Sequence, residues 1–250
     1  MLYKDFKVLQ DQLIDILIEY AHFLKKGAQL HYKYSSTFKE EILKDFKLRN
    51  ENTMLVTALT MLNEKKSLDD VDNYINGYKK KYQNEFNQLN QRLLAADTIC
   101  NRKIDAKEKK ELEQSFIEFL KNFNPILRLE TNSDYNNGYE LLQLLYQQDN
   151  YQTYLASYQM FINTYSLKNF LGVDFDKYVN EYMNIMQRIT IDIENKKKNF
   201  PYNKEDVFED ETTIAREMGD FRAKNNILLE ANNAIHKDFV LAYGEDIKLY

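Results

Sequence analysis

Large apolar side chains along this chain recur at alternating steps of three and four, the spacing that places residues on one face of an α-helix. The clearest stretch is 151–165. Stepping 100° per residue, Tyr151, Tyr154, Leu155, Tyr158, Phe161, Ile162 and Tyr165 fall inside an arc of about 120°, with Gln152, Thr153, Ser157, Gln159, Asn163 and Thr164 outside it. Tyrosine rings give large contact area while their hydroxyls need a partner or water, so this face belongs at the margin of a core or at an interface. Tyr154, Tyr158 and Tyr165 are therefore candidate contacts with a partner.

The same spacing predicts the other elements. Leu2, Phe6, Leu9, Leu13, Ile16, Tyr20 and Phe23 mark a long first helix, with Gly27 placed to end it. Thr37 and Glu40 have capping-box spacing ahead of Phe38, Ile42, Leu43 and Phe46, which predicts a second helix to about Asn50. The charge-free run from Thr53 to Leu62 predicts another helix, buried on most sides. Ser67 with Asp70 opens the longest element, whose seam runs from Leu68 to Ala96 with a stutter at Tyr82 and Phe86; at 1.5 Å per residue it spans roughly 45 Å. Asp105 caps a helix that reaches Phe123, where Pro125 stops it. Asn136-Asn137-Gly138 reads as a turn before a helical hairpin bent at Asp149-Asn150. Gly172 is a further break, and Asp174 begins a helix that Lys196–Lys198 close at the negative end of its dipole. The stretch from Pro201 to Glu211 reads as a flexible acidic link, and a last helical region crosses a boundary at Gly219 and frays near Gly244.

Together these elements predict an all-α fold, an elongated multi-helix bundle of about eight to ten helices with coiled-coil-like seams. The expected organisation is a single domain over residues 1–250, with the acidic link at 199–211 ahead of a C-terminal helical segment at 212–242. No tandem copy of a helical repeat is visible; an irregular α-solenoid is the alternative architecture. Composition agrees with helices: 6 Gly and 2 Pro are too few for an all-β or doubly wound fold, and 44% apolar content suffices for a substantial core.

Charge sharpens the picture. Residues 201–250 carry 6 basic and 11 acidic side chains, so the whole net charge of −5 sits in the last fifth of the chain. A balanced body with an acidic end argues against a dedicated binder of nucleic acid or of an anionic membrane. With one cysteine, Cys100, no disulfide framework is available within the chain. The first residues lack an apolar signal core and no run approaches 18 uncharged apolar residues, so the expectation is a cytoplasmic protein with no membrane span.

Candidate chemistry changes little. Glu19 and His22 have the E-x-x-H spacing of di-iron bundles, but neither His31 nor His236 has a glutamate three residues before it, so no metal is expected. Asn132, Asp134 and Asn136 resemble the start of a calcium loop, yet Gln143 stands where a bidentate carboxylate is needed. No phosphate-binding glycine loop or nucleophile elbow is present, and nothing marks Cys100 as a nucleophile. The sequence therefore leads to a non-catalytic protein without cofactor that works by protein–protein interaction, as an adaptor, regulator or immunity-type binder. Its expected partner is another protein, a basic one by charge complementarity, met by Glu205, Asp206, Glu209, Asp210 and Glu211 with Phe208 as apolar anchor. The helix seams also allow a homo-oligomer. A second reading is a nucleic-acid-associated accessory protein using Lys79, Lys80, Lys81, Lys196, Lys197 and Lys198 beside aromatic rings. A third is an enzyme whose dispersed site leaves no local motif.

Overall fold

The computed structural model describes residues 3–167 and 175–244. In chain order they form α1 (Tyr3–Thr37), α2 (Lys39–Asn63), α3 (Leu68–Cys100), α4 (Ala106–Phe123), α5 (Pro125–Arg128), α6 (Ser133–Gln147), α7 (Tyr151–Thr164), α8 (Phe175–Lys197), a 3-10 helix (Tyr202–Phe208) and α9 (Glu211–Tyr243). No strand occurs among the described residues, so the fold is all-α and multi-helical, as the spacing predicts. None of these helices is long and apolar enough to cross a membrane. The chain divides into two compact units: Met1–His31 with Ile99–Lys204, and Tyr32–Thr98 with Glu205–Tyr250. The expectations placed on Leu2, Gly172 and Asp174 lie outside the described residues.

The first unit is built on an aromatic core. Phe6, Leu13 and Leu17 of α1 are buried with Leu112, Phe116, Phe119 and Leu120 of α4, and with Tyr135, Tyr139, Tyr146, Tyr154, Phe161 and Tyr182 from the following helices. Phe116 and Tyr146 stack with centroids 3.9 Å apart, and Phe119 meets Phe161 edge-on at 5.1 Å. Such pairs add about 0.5–1.5 kcal/mol each beyond the area they bury. Buried hydroxyls need partners, and the corner between α4 and α5 supplies them. Helix ends leave carbonyls without intrahelical donors. Tyr135 donates to the Phe123 carbonyl at 2.5 Å, and Tyr182 to the Leu127 carbonyl at 2.7 Å. Each tyrosine thus satisfies a carbonyl at that corner, which fixes how α6 and α8 sit on it.

The second unit centres on α2 and α9, which lie side by side and run parallel. Asn225 bonds the Glu41 carbonyl and Asn232 the Leu48 carbonyl, each across a separation of 184 residues, so the register advances equally on both helices. Buried positions repeat every seven residues, at Glu41, Leu48 and Leu55 on α2 and at Asn225, Asn232 and Phe239 on α9. The Asn232 amide donates to the Leu48 carbonyl at 2.8 Å and to the Glu51 carboxylate at 3.2 Å, and accepts from Asn52 at 2.9 Å. A one-turn slip would strand these amides away from their partners, so they specify register. Val71, Ile75 and Tyr82 of α3 complete this core.

Several positions read as breaks lie inside helices, for a packing reason. At Gly27 a Cβ would stand 2.4 Å from Tyr202 Cζ, and that ring stacks on Phe23 at 4.1 Å; the glycine admits an aromatic side chain instead of ending α1. At Gly138 a Cβ would come within 3.0 Å of the Phe161 ring, so Asn136-Asn137-Gly138 is part of α6, while Asn132 caps that helix by accepting from the Tyr135 N–H. The polar gap expected near Asn50 is likewise continuous in α2, because Asn50 donates to the Phe46 carbonyl and accepts from Tyr78. Thr37 forms no capping box. The Phe38 N–H donates to the Tyr34 carbonyl at 3.0 Å, carrying the chain from α1 to α2 without one. Asp105 and Glu108 do form the expected box on α4, and Asp149 takes the left-handed conformation, φ 50°, that turns the α6–α7 hairpin.

Candidate functional site

The tyrosine face of α7 is core. Tyr154 is fully buried, and Tyr158 and Tyr165 are half-buried against the same cluster, as are Tyr151, Leu155 and Ile162. Tyr165 packs edge-on to Tyr135 at 4.8 Å and Tyr158 to Phe119 at 5.8 Å. Tyr154 therefore has no surface to offer a partner, and its two neighbours offer only their rims.

The acidic stretch has defined structure rather than the form of a loose link. Residues Tyr202–Phe208 form the 3-10 helix, and Asp210 caps α9, accepting from the Thr213 N–H at 2.8 Å while Thr213 answers the Asp210 N–H. That backbone bond holds the Asp210 carboxyl below its ordinary range. Two adjacent residues turn inward and the acidic residues on either side of them stay exposed. Val207 is buried and Phe208 half-buried, packed with Phe38, Phe221 and Tyr34; Phe208 also lies beneath the Lys33 ammonium at 4.4 Å. Glu205, Asp206, Glu209, Asp210 and Glu211 are all exposed. Phe208 thus anchors the segment to its own unit, which corrects its expected role as an anchor for a partner. The carboxylates form a ridge held from below.

The lysine runs are partly neutralised. Lys81 pairs with Glu85 at 3.7 Å, and Lys196 bonds Asp192, which also accepts from Tyr20 at 2.6 Å. These bonds, Lys196 first and Tyr20 next, keep Asp192 below its usual range. Lys79 is half-buried, while Lys80, Lys197 and Lys198 are exposed.

Sequence reasoning missed a buried ionic cluster in the first unit. Lys25, only 7% exposed, lies 2.7 Å from Asp149 Oδ1 and 3.9 Å from Glu113 Oε2, with its ammonium 3.9 Å above the Tyr146 ring. Tyr146 donates to Glu113 at 2.7 Å, His22 Nε2 is 2.5 Å from Glu113 Oε1, and Gln29 donates to Asp149 at 2.9 Å. Burial, then the Glu113 bond, pushes the Tyr146 hydroxyl well above its ordinary value. A buried cation between two carboxylates is a structural clasp across α1, α4 and the α6–α7 turn. Spacing gives no sign of it, since its members are far apart in the chain. His22 belongs to this clasp, while Glu19 is exposed. Among the described residues no group of three His, Cys, Asp or Glu could hold a metal ion.

The first unit also contains a cleft of about 260 Å³ between α1, α4, α5 and α6. Leu17, Ala21, Leu120 and Ile126 give it apolar walls, and Tyr20, Asn124, Asn136, Tyr139, Glu140 and Gln143 are its polar lining. Lys25 and its carboxylates are not part of this lining. Comparison with protein-family models, with curated proteins and with solved structures finds no match for the chain.

Proposed function

We propose that this is a non-catalytic binding protein that recognises a basic protein through the carboxylate ridge at 205–211. The observation that carries this reading is the sorting of that segment: apolar side chains turned inward onto Phe38 and Phe221, carboxylates turned outward on a capped helix start. Like charges crowded at one place repel, so a chain keeps them together on ordered backbone only at a cost. A preformed ridge spares a partner the entropy of ordering a loose segment, and its field steers encounter. The parallel, heptad-spaced pairing of α2 with α9 supports a coiled-coil description of the scaffold behind it. A cytoplasmic setting accords with the lone Cys100.

The test begins with capture of the partner by affinity purification and mass spectrometry. The kinetics are then compared for the wild type and a variant carrying E205Q, D206N, E209Q and E211Q, with Asp210 kept as the cap. Association should slow at least about tenfold at low salt and little at high salt, with dissociation nearly unchanged. Equal association rates at low salt would remove the ridge from the interface.

A further inference from the structure

We propose that the cleft of the first unit binds a small neutral molecule bearing a carboxamide or lactam group, whose N–H donates to Asn136 Oδ1 and whose carbonyl accepts from the Tyr139 hydroxyl.

Three observations lead there. The first is an orphaned acceptor. Asn136 lines the cleft, and its Oδ1 is buried with no hydrogen-bond donor among the described residues. A buried acceptor left without a donor is destabilising, and most such groups in folded proteins are satisfied. The second is a spare proton one helical turn away. The Tyr139 hydroxyl accepts from Asn124 Nδ2 at 2.8 Å, and among the described residues it donates to no acceptor. Burial raises the Tyr139 pKa far above neutrality, so this hydroxyl keeps its proton and remains a donor. Asn124 cannot turn to take that proton, because its Oδ1 already accepts from the Ile126 N–H at 2.8 Å. An acceptor and a donor at i and i+3 of α6 lie on one helix face. A cis-amide edge, with its N–H and C=O side by side, complements that pair.

The third observation is what the walls exclude. Among the described residues no Lys, Arg or His lines the cleft, and Glu140 does, so a phosphate or carboxylate would meet an acceptor and a negative charge with no cation of that lining to offset them. Leu17, Ala21, Leu120 and Ile126 suit the faces of a ring or a short alkyl group. At about 260 Å³ the space exceeds the roughly 150 Å³ of an engineered apolar cavity that takes up benzene, so it has room for a molecule with one ring.

Benzamide fits this description and serves as the probe. In ¹H–¹⁵N spectra of the full chain it should shift the Asn136, Tyr139 and Ile126 signals saturably, with a Kd of about 1 mM or tighter. N,N-dimethylbenzamide, which keeps the ring and carbonyl but lacks the N–H, should bind at least about tenfold more weakly, and so should benzoate. N136L, which keeps the bulk and removes the acceptor, should weaken benzamide by a similar factor. The comparison of the three probes on the wild type stands even if that variant does not fold. Absence of shifts up to about 10 mM, equal shifts for benzamide and its dimethyl derivative, or saturable shifts confined to residues outside the cleft would overturn the proposal.

Discussion

A single missing Cβ gives the sharpest test of how these helices pack. By helix propensity alone, replacing a mid-helix glycine by alanine stabilises by up to about 1 kcal/mol. Gly219 has nothing within 4 Å of the added Cβ, so G219A should raise stability by that order. Gly27 predicts the opposite sign. Its added Cβ would collide with a Tyr202 ring that is held by stacking on Phe23 and by its hydroxyl bond to the Phe23 carbonyl at 3.0 Å. Overpacking of this kind costs about 1–3 kcal/mol, so G27A should lower the denaturation midpoint. Urea titrations of the two variants would decide the matter, and a stabilised G27A would mean that the ring yields freely. Both glycines look alike in the sequence, because what distinguishes them is a tyrosine far along the chain.

The α2·α9 pair adds two expectations at the level of elements. Burial raises the Glu41 pKa, but bonds from Arg222 and Asn225 outweigh it and hold the carboxyl below its ordinary 4.5. A carboxylate depressed in the folded state contributes stability above its unfolded pKa and loses that contribution as pH falls through the folded one. Stability should therefore decline on acidification below about 4.5, and E41Q should flatten that part of the profile measured by thermal melts. N232A, which leaves Asn52 and Glu51 without their partner, should cost about 1–3 kcal/mol. A smaller loss than that of a surface alanine substitution would show that the amide layer does not set the register. Much at this scale was legible in advance. The three-four seam of α7 and that of α3 from Val71 to Phe86 lie in cores, while Leu68 at the seam's start is exposed; Asp105 caps α4, and Asp149 turns the hairpin. Three misreadings share one cause: Gly27, Gly138 and Asn50 are local break signals overridden by side chains that fill the space or take the bonds, whereas Gly219 lies inside α9 with no such neighbour. For the candidate sites the same limit applied. The exposure of the carboxylates followed from their charge, whereas the inward turn of Phe208 depended on Phe38 and Phe221, and the cleft around Asn136 on three other helices.

For the whole molecule, the division into two units, each assembled from two separate chain segments, makes neither one a removable piece. A chain ending at Lys204 lacks α9 and should lose more helical signal than the 33 residues of α9 account for, because Leu48, Met54 and Leu55 of α2 lose their cover. Circular dichroism of that truncation checks this; a loss confined to α9 would mean that α2 and α3 stand without it. Loop closure is not what holds such pairing back: by the logarithmic law, a separation of 184 residues costs only about 2 kcal/mol more than one of roughly 20. Rate is more sensitive to distant contacts than stability is.

The parallel pairing of α2 with α9 also has a meaning for the ribosome. Translation runs from the first residue onward, so α2 leaves the exit tunnel long before the strip of α9 that covers it has been made. With about 150 residues between them and synthesis at roughly 5–20 residues per second, the apolar side of α2 waits on the order of 10–30 s for its mate. During that interval Leu48, Met54 and Leu55 are adhesive surface on a nascent chain. Codon speed over residues 64–210 and the supply of holdase chaperones should therefore affect the yield of this protein in a cell.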